Sequence, residues 1–254
     1  MTSLRVLSMN MCLLPPGMRN APGDTDKLGR IAALGRALRE ELVDVDVILA
    51  QEVWDAAWSS RNTALVEDEL RASGFVHVAT SPRPAFALAS NGLLVASRRW
   101  PIEASETLTF AASAGLQRVV PNGALRCALR VRDGYVDVVT AHIHAGPGDT
   151  ALWNDAATSK EVQRRQLEEL RGWLLGGEGR FVLGGDFNVD GLDRDPDLLP
   201  SSEMEAVLGT SVLSNASFPD TYPVGVDLVA PGFEGKHACL DHLFSDGRCE
   251  NLGV

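Results

Sequence analysis

The chain has 254 residues, 45% of them hydrophobic and 22% charged, and a formal net charge of −11. That length and apolar content suit one large packed core and exclude a disordered or fibrous chain. The excess of acid, 34 Asp and Glu against 23 Lys and Arg, argues against a dedicated nucleic-acid binder, although carboxylates gathered around a metal would contribute to it.

Cys12, Cys127, Cys239 and Cys249 are scattered, form no CxxC pair, and make a poor zinc set with His237 and His242. So few cysteines suit a reducing compartment. The sequence opens without a basic segment and apolar core, and no apolar run is long enough to span a bilayer, so the expected location is cytoplasmic.

In chain order, Leu4–Met9 reads as a buried strand, and Pro15, Pro16 and Gly17 force a loop. Leu28, Ile31, Leu34, Leu38 and Leu42 recur at helical spacing behind the capping candidates Asp24, Thr25 and Asp26. Gly29 and Gly35 lie inside that helix and so make no phosphate loop. Val45–Ala50 reads as a strand, and Val66–Leu70 as part of a helix closed by Gly74. Short strands follow at Gly92–Ser97, Leu125–Val131 and Tyr135–His142. After a long loop from Ala145 to Ser159, a helix runs from about Lys160 to Leu175, followed by a strand at Phe181–Gly185. Asp190–Tyr222 reads as irregular apart from a short helix near Ser202–Leu208, and Leu240–Phe244 as a last strand. No repeat or linker divides the chain, so 1–254 is expected to form a single domain with two packed sheets and helices outside.

Polar residues at the ends of buried strands carry the chemical information, because a rigid scaffold there aims them into a cleft. Asn10 closes the first strand, Glu52 follows VILAQ, and His142 ends VDVVTA. Asp186 and Asn188 follow FVLGG, and Asp241 lies within CLDHLF. Carboxylates and amides are hard oxygen donors suited to Mg²⁺ or Mn²⁺, and beside an imidazole they are the parts of metal-assisted phosphate ester hydrolysis. Each residue taken singly has a plain structural reading as a cap or turn. In this order, each after an apolar strand, they read as one site.

SMNMCLLPPG, AQEVWD, NGLLVASRRWPI, TAHIHAG, GGDFNVD and CLDHLF stand in the order and approximate spacing of the endonuclease/exonuclease/phosphatase motifs. The chain resembles that superfamily over nearly its whole length, most specifically at QEVWD and GGDFN. NMCLLPPG, AQEVW and the helical stretch EVQRRQLEELRGWL resemble the neutral sphingomyelinases. The resemblance implies a DNase-like four-layer α/β/β/α sandwich with two mixed sheets. It implies Glu52 as principal Mg²⁺ ligand with Asn10 beside it, Asp186 positioning the attacking water or a second metal, and Asn188 holding a phosphate oxygen. His142 would stabilise the transition state or leaving oxygen, and Asp241 would orient the general-base histidine.

One departure stands out. The superfamily normally ends in a Ser-Asp-His segment that supplies the general base, whereas CLDHLF matches the earlier segment and no second Asp-His follows. In a strand, His242 would face away from whatever Asp241 touches. The expectation is therefore that the terminal segment is lacking and that turnover is weak or absent.

His144 shares the face of His142 and is at best a secondary phosphate contact. His77 and His237 read as surface residues, and Arg164 and Arg165 as a solvated helix face. Trp54 and Trp58, four apart, are expected to pack on the core. Trp153 and the apolar stretch Pro82–Ala89 are candidates for contact with lipid headgroups. The leading expectation is a Mg²⁺- or Mn²⁺-dependent phosphodiesterase acting on a phospholipid such as sphingomyelin, with peripheral membrane contact and nucleic acid a poorer substrate. The alternatives are a nuclease or sugar/inositol phosphate phosphatase with the same metal site, and a non-catalytic binder of a phosphorylated ligand.

Overall fold

A computed structural model describes residues 3–14, 26–58, 61–85, 87–146, 155–177, 180–191, 193, 196–208 and 241–245. β1 (Val6–Leu13) leads to α1 (Lys27–Glu40), β2 (Val47–Val53), α2 (Arg61–Ala72), β3 (His77–Thr80) and β4 (Leu94–Ser97). Then come β5 (Ile102–Thr109), a 3₁₀ turn at Gly115–Arg118, β6 (Gly123–Val131), β7 (Gly134–His142) and α3 (Ala156–Leu175). β8 (Arg180–Asp186), β9 (Val189–Asp190), β10 (Leu199–Pro200), α4 (Ser201–Leu208) and β11 (Asp241–Ser245) complete the described elements.

The strands build one sheet in the order β1-β2-β4-β3 and a second in the order β11-β8-β7-β6-β5, with β9 and β10 as a small ribbon. β1 runs parallel to β2 and β7 parallel to β8, while the other pairs within the two sheets are antiparallel. Both sheets are therefore mixed.

Alternation along the strands assigns the layers. Val47 and Leu49 of β2 pack between the sheets with Val95, Leu125, Cys127, Leu129 and Val138. Ile48 and Ala50 point the other way, joining Ile31, Leu34 and Leu38 of α1 and Val66 and Leu70 of α2. On the far side Val139, Ala141, Leu183 and Phe187 pack with Leu167 and Leu170 of α3 and Met204 and Leu208 of α4. The layers run helix, sheet, sheet, helix, as expected from the sequence. Because β2 and the end of β7 are buried on both faces, they read as continuous apolar runs.

α1 begins where Asp26 accepts a hydrogen bond from the Gly29 amide at 2.8 Å, and α3 begins where Asp155 accepts one from Thr158 at 2.7 Å. α3 thus starts at Ala156, earlier than the spacing indicates. β3 and β5 are missing from the sequence reading for one reason. Both lie at sheet edges, and β5 is mostly exposed, so neither carries an apolar run. The stretch expected to be irregular after Asp190 contains β10 as well as α4.

Three expectations are corrected. Trp54 is buried as expected, but Trp58 is 66% exposed, because the chain leaves the strand path after Val53 and helical spacing does not apply there. Arg164 donates from Nε to Glu203 at 2.5 Å and ties α3 to α4, leaving only Arg165 as a mainly solvated residue of the two. His77 is half-buried in β3 rather than at the surface. Trp153, His237, the 15–17 loop and the caps at 24 and 25 lie outside the described residues.

Candidate functional site

The parallel pairs β1/β2 and β7/β8 bring the carboxyl ends of four strands to one end of the sandwich. Asn10 is paired in register with Gln51, next to Glu52, and His142 with Asp186. The Asn10 Nδ2 then crosses the cleft, donating to Glu52 Oε1 at 2.8 Å and to Asp186 Oδ2 at 2.9 Å. One ligand atom each from Glu52, His142 and Asp186 lies within 4.8 Å of the others. Residues expected to form one site, far apart in the chain, converge.

Local backbone conformation aims these groups. Glu52 has φ 55° and Asn188 φ 49°, both in the left-handed region that non-glycine residues rarely occupy. Such strain of about 1–3 kcal/mol persists only where surroundings impose it, and it clusters at functional sites. Gly185, with φ 156°, fits for a steric reason: a Cβ there would lie 1.9 Å from the Ala141 carbonyl oxygen. The Gly-Asp step therefore lets β8 approach β7 closely enough to set Asp186 beside His142.

Trp54 forms the adjoining wall. Its indole covers Gly92, where a Cβ would stand 2.9 Å from the ring, and its centroid lies 5.8 Å from that of His142. His142 is 4% exposed, with Nε2 3.9 Å from Glu52 Oε1, too far for a hydrogen bond. Its Nδ1 is buried without a hydrogen-bond partner among the described residues.

A frame of amides fixes the loop after β7. The Ile143 carbonyl accepts from Asn188 Nδ2 at 3.0 Å and from Asn122 Nδ2 at 3.3 Å. Gln163 Nε2 donates to the carbonyls of His144 and Asn188, both at 2.9 Å. Gln166 Oε1 accepts from the His144 amide at 2.7 Å. His144 itself is 1% exposed, and burial, reinforced by the charge of His142, lowers its pKa to about 4. It is a neutral residue of the frame. Gln51, wholly buried between the sheets, bridges to Thr140 of β7 at 2.8 Å.

Gln51, Gln163, Gln166 and Asn122 went unnoticed in the sequence. Their signal was available: Gln163 and Gln166 interrupt the buried stripe of Val162, Leu167 and Leu170, where an amide needs partners. The register sets Asp241 across from Asp186 and His242 across from Gly185.

The donor set fits a hard divalent cation. Among the described residues no Lys or Arg pairs with Glu52 or Asp186, and the neutral Asn10 amide alone joins them. Two carboxylates at such separation repel by roughly 3 kcal/mol at an effective dielectric constant near 20. A cation held by both would relieve that, and oxygen ligands suit Mg²⁺ or Mn²⁺. Asn10 Oδ1 accepts from the Cys12 amide at 2.9 Å, an orientation that presents the NH₂ group to both carboxylates.

No helix among the described residues is long and apolar enough to cross a membrane. No curated protein matches the sequence. Residues 10–252 match the Endonuclease/Exonuclease/phosphatase family. Solved structures share the fold at low identity. A β-hairpin deletion mutant of beta toxin from Staphylococcus aureus superposes with TM-score 0.78 at 15% identity, covering 100% of this chain and 90% of that one. Sphingomyelinase C from Streptomyces griseocarneus gives 0.72 at 20%, covering 98% and 86%. A mannosyl-6-phosphatase from Bacteroides thetaiotaomicron gives 0.59 at 18%, covering 96% and 85%. Another S. aureus beta toxin structure, of similar fold, contains bound magnesium ions. A match that takes in Asn10 and Glu52 at one end and Asp186 at the other spans the whole convergent site, and this chain belongs to the endonuclease/exonuclease/phosphatase family of phosphoester hydrolases.

Proposed function

We propose that this chain is a Mg²⁺- or Mn²⁺-dependent phosphodiesterase that hydrolyses a choline phospholipid such as sphingomyelin to ceramide and phosphocholine. The observation that carries the metal-dependent reading is the pair Glu52 and Asp186, joined through Asn10 with no cationic side chain among the described residues to balance them. The lipid reading is supported by likeness to a sphingomyelinase C and by a net charge of −11, which disfavours a polyanionic DNA substrate. A cytoplasmic location fits a thiol, rather than a disulfide, at Cys127.

Glu52 and Asp186 would hold the cation, with Asn10 beside them. When bound, it supplies Lewis-acid polarisation of the phosphoryl group and neutralises developing charge. Asp186 also accepts a proton-side hydrogen bond from the attacking water and so orients it. Asn188 uses one amide proton on Ile143, and its second is the donor for a phosphoryl oxygen. His142, from Nε2, stabilises the oxygen on which charge accumulates. Asp241, opposite Asp186 in register, is where the resemblance puts the carboxylate that would orient a general-base histidine, a residue not identified among those described. Water adds to phosphorus, the phosphorus–oxygen bond to ceramide breaks, and the proton lost by water ends on the ceramide oxygen.

A phosphatase reading is the second choice, favoured by the likeness to a mannosyl-6-phosphatase. Parallel assays on sphingomyelin vesicles, plasmid DNA and mannose 6-phosphate, each with Mg²⁺ and with EDTA, separate these. Weak, EDTA-sensitive phosphocholine release alone is the expected result. Cleavage of DNA or release of inorganic phosphate in its place would refute the lipid assignment and keep the metal site. No turnover on any of the three by the folded protein would favour the non-catalytic binder.

A further inference from the structure

The ends of β1 and β2 beside the metal site depart from regular strand paths. Asn10 pairs with Gln51 and Leu13 with Val53, so three steps along β1 face two along β2, a bulge of one extra residue. Cys12 lies in that bulge with φ 51°, and Glu52 stands in the facing stretch with φ 55°. Neither conformation is favoured by the residue itself, so surrounding contacts must impose both. The carbonyls that such a path turns out of the ladder need donors from elsewhere. The helix layer supplies them. Arg30 of α1 donates from Nη2 to the Cys12 carbonyl at 2.8 Å, and Lys27 donates to that of Leu14. Asn62 of α2 spans further: its Nδ2 donates to Leu13 O and Leu14 O, both at 3.1 Å, and to Trp54 O at 2.7 Å.

One amide thus joins the chain three residues after Asn10 to the chain two residues after Glu52. We propose that Asn62 is a positioning residue for the divalent cation: without touching the ion, it holds the β1 bulge and the β2 end in the arrangement that sets Asn10 and Glu52 around it. The proposal rests on the metal-dependent reading of Glu52 and Asp186. Asn62 is 6% exposed and shares a helix face with the buried Val66 and Leu70, a stripe where packing alone would call for an apolar side chain. A buried amide there is tolerated because it has partners. The bulge bears directly on the site, since the Cys12 amide donates to Asn10 Oδ1 at 2.9 Å and so orients the group that joins the two carboxylates. The other end bears on it too. The Trp54 carbonyl is held by Asn62, and the Trp54 ring stands 5.8 Å from that of His142. Removing an outer partner that orients metal ligands lowers metal affinity by about tenfold or more.

The test is titration with Mn²⁺ alone, the free ion counted by its electron paramagnetic resonance signal, on the parent, Asn62→Leu and Leu70→Ala. Asn62→Leu nearly keeps the side-chain shape and removes the donor. Leu70→Ala loosens the same helix at a wholly buried apolar position without removing a hydrogen bond. Asn62→Leu should bind Mn²⁺ about tenfold or more weakly than the parent, whereas Leu70→Ala should melt lower yet bind like the parent. Parent-like affinity in Asn62→Leu overturns the proposal, as does an equal loss in Leu70→Ala, which would reduce Asn62 to a stabilising residue. Where Asn62→Leu does not fold, Asn62→Ser takes its place with the same outcomes. A folded parent that binds no Mn²⁺ would sink the metal-dependent reading itself, and the proposal with it.

Discussion

Asn10 donates both protons of one amide across 176 residues of chain, to Glu52 at 2.8 Å and to Asp186 at 2.9 Å. A neutral donor thus does the work that a cation would do better. Replacing it by alanine removes two charge-assisted hydrogen bonds, each worth about 1.5–3 kcal/mol. Asn10→Ala should melt well below the parent in EDTA, and millimolar Mg²⁺ should narrow the gap, because a ligand that binds only the folded form stabilises it. An equal deficit with and without Mg²⁺ would show that the pair does not gather the ion.

His142, rather than His242, is the histidine we propose at the chemistry, since it converges with Glu52 and Asp186. His142→Ala should lower turnover by about two to three orders of magnitude, with folding retained. His242 stands across from Gly185, and His242→Ala should change turnover by no more than a few-fold. The reverse pattern would overturn both placements.

Gln163 holds two carbonyls at once, those of His144 and Asn188. Gln163→Leu leaves both without this donor, at a cost of about 2 kcal/mol or more in urea denaturation. Because Asn188 then loses one of its anchors and keeps those to Ile143 and Asp186, kcat should fall more than KM rises. A stability loss with kcat unchanged would make Gln163 a core residue with no positioning role.

The Cys127 thiol, buried between the sheets, is pushed up from its ordinary 9.0 to about 12, with burial the larger cause and the nearby negative charge of Asp137 the smaller. Since the folded value lies above the unfolded one, its contribution to stability is intact below pH 9 and is lost as the pH rises toward 12. At pH 8 iodoacetamide should leave Cys127 unmodified in the folded protein and label it in urea, as read by peptide mass. Rapid native labelling would contradict the described packing.

Legibility in the sequence followed burial. β2, β6 and β7 carry apolar runs because both faces, or one face and the cleft, are dry. β5 showed no such run, because burial does not constrain an edge strand with Glu103, Ser105 and Glu106 in solvent. The site residues were legible because polar groups at the ends of dry strands are conspicuous. The amides that hold them show only as polar breaks in a buried stripe, and the sequence does not place the partners of Gln163 at 144 and 188. Trp58 stands outside the core because its four-residue spacing from Trp54 falls in a loop, where that spacing does not put two side chains on one face.

We propose that a divalent cation held by Glu52 and Asp186 drives phosphoester hydrolysis. The most direct measurement is phosphocholine release from sphingomyelin vesicles by the parent and by Glu52→Gln, each with Mg²⁺ and with EDTA. Release by the parent should require Mg²⁺ and should fall about a thousandfold in Glu52→Gln. Release that survives EDTA, or a Glu52→Gln variant as active as the parent, would contradict it.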